Sequence, residues 1–324
     1  MSLVIGRRGW VNIALETNPG DPVQPSTHYI PFLECDLMEK LEILPELAAR
    51  GIRDEQGESS TPGKKHGEGA LKVNLDPDLA PVLLGMVMGD FGTPTNEGDG
   101  VYTHTFARKA NNTPKAASII FNRAGIDQNL FHSAVINSAE LAFSDGMAEL
   151  TANFLSRFPV ASTSGTLSTV SGTLFTFKDA RVRMAADLAT AVSATSLKVK
   201  ELSLVINNNA EMIHVVGNND VNAIAVKNFG ISGNISLNFE DTIERDIFRN
   251  LTKRAMIIEF EGNQIGGGLS QFVKFRIAKM RFDNYSPELP IDDIASQGID
   301  FVGEYSSGDA KTIDIQVRNR KSSY

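Results

Sequence analysis

Cysteine is nearly absent from this sequence, since Cys35 is the only one in 324 residues. No disulfide can form within the chain, which excludes the small secreted domains that disulfides hold together. No apolar run is long enough to span a bilayer, and the opening residues MSLVIGRRGW do not have the pattern of a signal peptide. We therefore expect a reducing compartment and no membrane partner.

Positive charge is also scarce, because 31 lysines and arginines face 39 aspartates and glutamates, for a net charge of −8. Proteins that hold DNA usually present a basic face that neutralises phosphates, so the composition argues against ordinary DNA binding. The chain is 42% hydrophobic, enough for one large domain or two ordinary domains with real cores.

Motifs that carry chemistry are missing as well. No serine lies in a G-x-S-x-G elbow, and the start of a dinucleotide fingerprint at Gly67 fails because Lys72 stands where its third glycine belongs. Cys35 has no nearby histidine and is interpreted as a small core residue. The histidines show no metal-ligand spacing: His28, His66, His104, His132 and His214. We predict no catalytic residue, no metal and no cofactor.

What the sequence does contain is a strand followed directly by a helix, at residues 69–92. Leu71, Val73 and Leu75 alternate with polar residues, which predicts a strand with one buried face. Asp76 is a good N-cap with Pro77 at the first helical position, and the apolar residues then recur at helical spacing. Glycines at 89 and 92 close the predicted helix.

The same pattern occurs a second time at residues 233–256, aligned without a gap. Gly69 falls on Gly233, and apolar positions match through both the strand and the helix, as where Leu71 falls on Ile235. Two unrelated strand–helix units could also give this match. We favour an internal duplication, with a first domain at 1–190 and a second at 191–324.

The rest of the chain reads as antiparallel strands, among them residues 173–185 and residues 197–207, the latter with Leu202, Leu204 and Ile206 inward. The predicted fold class is therefore mainly β (α+β), with one modest helix in each half. Residues 131–155 predict a β-hairpin that turns at 144–146 and has a polar outer face: Glu140, Glu149, Thr151 and Asn153. Residues 50–66 are charged and predict a long exposed loop, which is either idle or an arm that orders against a neighbouring subunit.

The ordered series of segments resembles the tail tube (major tail) proteins of long-tailed double-stranded DNA bacteriophages. The resemblance covers nearly the whole chain and rests on no single motif. It is carried by the strand ending at Glu16, the Pro31 strand, GALKVNLDP (69–77), LLGMVMG (83–89), YTHTF (102–106), VINSAELAFSDGMAELT (135–151), FKDARVRM (177–184), ELSLVINN (201–208), FGISGNISLNFED (229–241), FVKFRIAKMRF (272–282) and the final strands to Asn319.

This resemblance implies an antiparallel β-sandwich or barrel with a short flanking helix, in a structural protein that stacks as rings around a lumen for DNA. The 137–155 hairpin would line the lumen or lie in the inner sheet, where acidic residues repel phosphates and let the genome slide. It also implies contacts between rings or subunits at two basic or charged places: Arg50, Arg53, Asp54, Glu55, Lys64 and Lys65 in the long loop, and Arg318, Arg320 and Lys321 in the C-terminal arm.

The implied partners are further copies of the chain, a tape measure protein, tail terminator and distal tail proteins, and double-stranded DNA that passes without specific binding. The implied location is the virion tail, assembled in the host bacterial cytoplasm. If each half is a tube domain, three chains form a pseudo-hexameric ring; six chains with one enlarged domain each is the alternative.

Other classes remain open at this point. One is a β-sandwich receptor- or carbohydrate-binding tail module, disfavoured because Trp10 is the only tryptophan. Another is a distal-tail or terminator ring protein, which shares the fold. A glycoside hydrolase with two carboxylates is the enzymatic alternative, although no acid lies in a recognisable context.

Overall fold

The computed structural model describes residues 5–24, 28–45, 60–108, 115–163, 165, 167, 172–292 and 294–324. Strands dominate it, and every pairing between named strands is antiparallel, as the mainly β prediction requires. The helices are α1 (Ala80–Met88), α2 (Leu188–Ala191) and α3 (Ile243–Arg249), with short 3-10 segments at Gly6–Arg8 and Phe177–Asp179.

The strands divide between the two halves of the chain. Those of the first half are β1 (Trp10–Leu15), β2 (His28–Ile30), β3 (Glu34–Cys35), β4 (Met38–Leu44), β5 (Thr61–Asn74), β6 (Thr95–Gly98), β7 (Val101–Ala107), β8 (Ala117–Arg123), β9 (Asp127–Phe143), β10 (Glu149–Ser156) and β11 (Val160–Ala161). Those of the second half are β12 (Ala180–Ala185), β13 (Val199–Asn207), β14 (Glu211–Ile213), β15 (Ala223–Ala225), β16 (Gly230–Asn238), β17 (Arg254–Gly266), β18 (Leu269–Glu288), β19 (Ser296–Glu304) and β20 (Ile313–Asn319).

The long strand β9 organises the first half. Its early residues pair with β8 on one edge and β11 on the other, while its later residues pair with β10. Strand β10 pairs with β5, which pairs in turn with β3 and β4. On the other side β8 pairs with β1, and β1 with β2. The result is an inner sheet (β4, β5, β10 and late β9) that packs against an outer one.

The long strand β18 repeats this scheme in the second half. Its early residues pair with β17 and β20, and its later residues pair with β19. Strand β19 pairs with β16, which pairs with β13, and β17 pairs with β12. Seven strands of the first half thus have a counterpart at the same place in the second: β1 and β12, β4 and β13, β5 and β16, β8 and β17, β9 and β18, β10 and β19, β11 and β20.

Irregular positions repeat along with the regular ones. Phe154 lies opposite Gly69 in the first half, and Phe301 lies opposite Gly233 in the second. The register then shifts next to each phenylalanine, between β9 and β10 and between β18 and β19. A bulge is a specific local device of a strand pair, so its recurrence supports the duplication beyond strand order.

One strand pair joins the inner sheets of the two halves, and one exchanged insertion joins their outer sheets. Late β9 pairs with β13, so the inner sheet continues without a break from the first half into the second. Strands β6 and β7, which follow α1 and have no counterpart in the second half, extend the outer sheet of that half through β20. The described strands form no closed barrel.

The predicted strand–helix unit is present, with a later helix start than expected. Leu71, Val73 and Leu75 are buried, and Gly89 ends α1 in a left-handed conformation (φ 74°). The helix begins at Ala80, however, and the Asp76 carboxylate instead accepts the N–H groups of Asp78 (2.6 Å) and Leu79 (3.0 Å). A short side-chain turn therefore precedes the helix, because the Asp76 oxygen binds amides of the turn itself.

Two other boundaries were wrong. Residues 61–66 of the predicted loop lie in β5 and pair with β4, since backbone pairing overrides their charged composition. The predicted strand at 173–185 is a strand only over Ala180–Ala185, because a Thr176–Asp179 capping box forms a 3-10 turn first. The hairpin at 131–155 is confirmed, as are buried Leu202, Leu204 and Ile206 in β13.

Candidate functional site

The predicted polar face of the hairpin lies on the side of the inner sheet away from the core. Glu140 is exposed and accepts a hydrogen bond from Ser203 of β13 (3.1 Å), while Asn153 donates to Ser138 (3.0 Å). Thr151 lies between Glu140 on β9 and Lys72 on β5. Glu149 forms an ion pair with Lys72 at 2.7 Å. Four strands thus bring these side chains onto one polar surface.

The same surface continues into the second half and is acidic. Its carboxylates follow from the alternation of buried and outward residues along each strand: Glu34, Asp36, Glu68, Glu140, Glu149, Glu201, Glu288 and Asp300. Lys40 and Lys72 also lie there, but each pairs with a glutamate, at 3.4 Å to Glu68 and 2.7 Å to Glu149. The face therefore carries net negative charge.

The predicted contact residues of the long loop fall partly outside the described structure, as Arg50, Arg53, Asp54 and Glu55 do. Lys64 and Lys65 lie on β5 rather than in a loop. The Lys64 N–H donates to Glu42, and the Lys65 ammonium lies 5.1 Å from the centre of the Phe158 ring. Lys65 therefore already takes part in packing within the chain.

The predicted C-terminal contact residues lie against their own chain. Arg318 donates to Thr103 (3.3 Å) and lies over the Phe272 ring, and Arg320 donates to the carbonyl of Ile265. The carbonyl of Lys321 is 2.8 Å from the His104 imidazole. Their role between rings stays a prediction; Arg320 is exposed, whereas Arg318 and Lys321 are partly buried.

Burial perturbs the groups around this docked terminus. Desolvation lowers the pKa of His104, although its hydrogen bond to the Lys321 carbonyl opposes the shift. Desolvation also raises the pKa of Asp76 and of the Tyr324 phenol, and lowers that of Lys321. Asn319 ties the segment down by donating to the carbonyl of Pro77 (2.7 Å).

Two strand edges that the sequence reading missed complete the site. The outer edge of β4 and the late edge of β18 opposite β19 pair with no other described strand. Apolar side chains lie exposed beside both edges: Met38, Leu41, Ile43 and Leu44 in β4, and Leu289, Ile291 and Ile294 after β18. Unpaired edges template pairing with another chain. Extending the repeat alignment past residue 256 would have signalled the β18 edge.

The described residues offer no group of three or more His, Cys, Asp and Glu side chains able to hold a metal ion. Cys35 is partly buried beside the core, and desolvation raises the pKa of its thiol to about 12. A thiol so hard to ionise is a poor nucleophile. A cavity of about 490 Å³ opens on the acidic face beside the 144–147 turn. No described helix has both the length and the apolarity that a membrane span needs.

A polar inner face with free strand edges suits a chain that polymerises, and the comparison with known families agrees. The model of the phage tail tube protein family matches residues 6–309. The chain belongs to the phage tail tube protein family. It is therefore a structural protein of the phage tail, located in the virion, where copies assemble into a tube. The comparison with curated proteins found no match.

Proposed function

We propose that this tail tube protein forms rings of three chains, in which each chain supplies two quasi-equivalent tube units. The observation that carries the proposal is the repeated pairing scheme, with its repeated bulge. The boundary predicted at residue 190 would leave β12 in the first unit although it pairs with β17, so the proposal moves it ahead of Ala180.

The junction inside the chain supplies the geometry for the junction between chains. Strand β13 fills the late edge of β9, with Val205 opposite Glu140. The counterpart of β9 is β18, whose late edge is free, and the counterpart of β13 is β4, whose outer edge is free. Val205 of β13 corresponds to Met38 of β4, and Glu140 of β9 corresponds to Ser286 of β18. By the same register, Met38 of one chain would therefore lie opposite Ser286 of the next.

Pairing the edge of β4 with the edge of β18 would have two stabilising effects. It satisfies backbone groups that would otherwise template aggregation, and it covers apolar side chains of β4 that are now exposed, such as Ile43 (65% exposed). Three such junctions alternate with three internal ones, and the inner sheet then closes around a lumen.

The acidic face would line that lumen. Carboxylates at close spacing repel DNA phosphates, so the genome passes without binding. The nearby paired lysines offer phosphates little attraction, because Lys72 is held by Glu149. On this proposal Glu140, Glu149, Thr151 and Asn153 are lumen residues.

Contacts along the tube would come from exposed charge at the rims of the ring. Lys64 and, at the C-terminal side, Arg320 are candidates for these contacts, while the segment with Arg50, Arg53, Asp54 and Glu55 is a candidate for contact with a neighbouring subunit. The ends of the tube would meet tail terminator and distal tail proteins, and its lumen would hold a tape measure protein before ejection. Assembly would take place in the cytoplasm of the bacterial host.

Electron microscopy of the purified chain at high concentration tests the stoichiometry. Rotational averages of stacked rings should show threefold symmetry with a pseudo-sixfold inner wall. Rings of six whole chains would contradict the proposal. Monomers that never polymerise, even with tail initiation proteins added, would favour the receptor-binding alternative.

A further inference from the structure

The tip of the β14–β15 hairpin, residues 214–222, lies against the first half of the chain. The Lys65 N–H donates to the carbonyl of Asn219 (2.9 Å), and the Phe158 N–H donates to the Asp220 carboxylate (3.1 Å). The Arg157 guanidinium donates to the carbonyl of Asn222 (2.7 Å). These hydrogen bonds, together with one from the Asn219 side chain to the carbonyl of Pro62 (3.2 Å), hold the segment that connects β13 to β16 on the first unit.

The second half contains the same surface at the equivalent place. Phe229 precedes Gly233 by the spacing at which Lys65 precedes Gly69, and Tyr305 follows Phe301 as Phe158 follows Phe154. Phe229 and Tyr305 line an open groove of about 290 Å³, together with Arg108, Ala310, Lys311, Thr312 and Ile313. Tyr305 is 63% exposed.

Arg108 marks this groove as a place for an acidic partner. Its guanidinium carbon lies 4.3 Å from the centre of the Phe229 ring, yet its buried Nη1 atom has no hydrogen-bond partner among the described residues. A buried donor without an acceptor is costly, so an incoming carboxylate or carbonyl oxygen would stabilise it. Lys311 also lines the groove, but its ammonium is already paired with the Asp314 carboxylate (3.3 Å), so Arg108 supplies the unsatisfied donor.

The duplication identifies the segment that would supply such an oxygen. Residues 46–59, outside the described structure, connect β4 to β5 as the 214–222 segment and its hairpin connect β13 to β16. Their charge is complementary to the groove, because four carboxylates outnumber two arginines: Glu46, Asp54, Glu55 and Glu58 against Arg50 and Arg53. The β4–β18 pairing delivers this segment from the next chain.

We propose that the groove of Arg108, Phe229 and Tyr305 binds residues 46–59 of a second copy of this chain. The inference rests on the proposed ring. Residues 46–59 then contact a neighbouring chain of the same ring and not a chain of the next stacked ring. Arg108 pairs with a carboxylate of that segment, at the place in the second half that is equivalent to the contact of Asp220 with the first half.

Photo-crosslinking on assembled tubes tests the proposal. The photo-crosslinker p-benzoylphenylalanine replaces Tyr305 in a C35A/M38C/S286C chain, whose two new cysteines can form a disulfide between chains at the proposed β4–β18 junction. Tubes are grown from mixed ¹⁴N- and ¹⁵N-labelled protein, so that links between chains are recognised by mass. We expect links between chains into residues 46–59, with yield at least about fivefold lower in R108E, since reversing the charge repels the carboxylates. Phe177, exposed in a 3-10 turn, is the matched control site for the probe.

The engineered disulfide tests the proposed ring separately from the proposed occupant of the groove. If the disulfide forms but the probe links to residues 109–114, to its own chain or elsewhere, the groove assignment is overturned and the ring stands. If neither the disulfide nor the link forms, the ring itself is contradicted and the groove loses its occupant.

Discussion

The two halves of this chain share one strand scheme but differ in what covers the edge of the long strand. Late β9 is covered by β13 of the same chain, whereas no described strand pairs with the corresponding edge of late β18. Nothing in the bulge, the facing phenylalanine or the inner sheet order distinguishes the two strands. In the ring proposed above, a neighbouring copy covers the edge of β18 as β13 covers that of β9.

A second difference lies in the insertion after α1. Strands β6 and β7 come from the first half but extend the outer sheet of the second through β20. They bring His104 against the C-terminal segment, where Lys321 and Tyr324 pack on it. The insertion therefore fastens the halves together on the outer side, while the β9–β13 pair does so on the inner side.

The largest expected effect concerns the equivalent phenylalanines. Phe154→Ala and Phe301→Ala should each reduce the free energy of unfolding by about 3–5 kcal/mol, because both rings are 1% exposed in the shared core. Urea unfolding measures it, with the 59% exposed Phe177→Ala as a control expected within about 0.5 kcal/mol of the unmodified protein. A loss at one site only would break the equivalence of the halves.

The insertion should make the fold sensitive to acid. Burial lowers the pKa of His104, so the folded chain favours the neutral imidazole, and unfolding gains a proton as pH falls below about 6.5. Stability should fall by at most about 1.4 kcal/mol per pH unit for this one group. The raised pKa of Asp76 opposes this loss of stability, because the folded chain then binds the proton of Asp76 more readily than the unfolded chain does. Lys321 and Asp78 lie near Asp76 and interact with its charge.

Comparison of His104→Gln with the unmodified chain isolates the histidine. Thermal unfolding between pH 7 and pH 5 should show a shallower decline for the variant. Parallel curves would mean that His104 does not contribute to the acid response.

The free edges should respond to charge in pairs. Met38→Lys and Ser286→Lys together place like charges opposite each other between chains, which costs about 0.2–1 kcal/mol at each junction. The concentration needed for polymerisation should rise in sedimentation, while the thermal unfolding of the monomer stays unchanged. Met38→Glu with Ser286→Lys should restore polymerisation; failure of this rescue would contradict the register.

The smallest effect is expected from the acidic face. Asn153 in the first half corresponds to Asp300 in the second, and both lie on the face that would line the proposed lumen. Replacing acidic residues of this face by lysine should therefore change how the lumen interacts with DNA. Tubes of the Asp300→Lys/Glu201→Lys variant should retain short DNA at low salt and release it as salt rises. DNA retention in filter binding by the unmodified tubes at the same salt would contradict a repulsive lumen.

The sequence predicted those elements whose own residues determine them. Alternation in Leu71 and Val73 and in Leu202 and Leu204 located strands because one face of each is buried. The polar face followed from the same alternation. The helix start failed because Asp76 binds the turn amides, a choice between two local hydrogen-bond patterns that spacing does not decide.

The free edges and the groove could not be predicted this way. Strand pairing is non-local, so the exposure of Met38 or Tyr305 depends on which strands lie beside them and not on neighbouring residues. Arg108 reaches Phe229 only because β7 crosses into the second half. The repeat alignment carried the needed signal, but only when it was extended over complete strands.

The central claim is the register of the junction between chains, and disulfide formation tests it most directly. In a Cys35→Ala background, Met38→Cys and Ser286→Cys should oxidise in assembled tubes to covalent dimers and trimers, with the closed trimer as the largest species on a non-reducing gel. The pair Met38→Cys and Glu288→Cys, on the same face but two residues out of register, should react far less. Ladders that continue to six chains, or equal reaction of both pairs, would contradict the account.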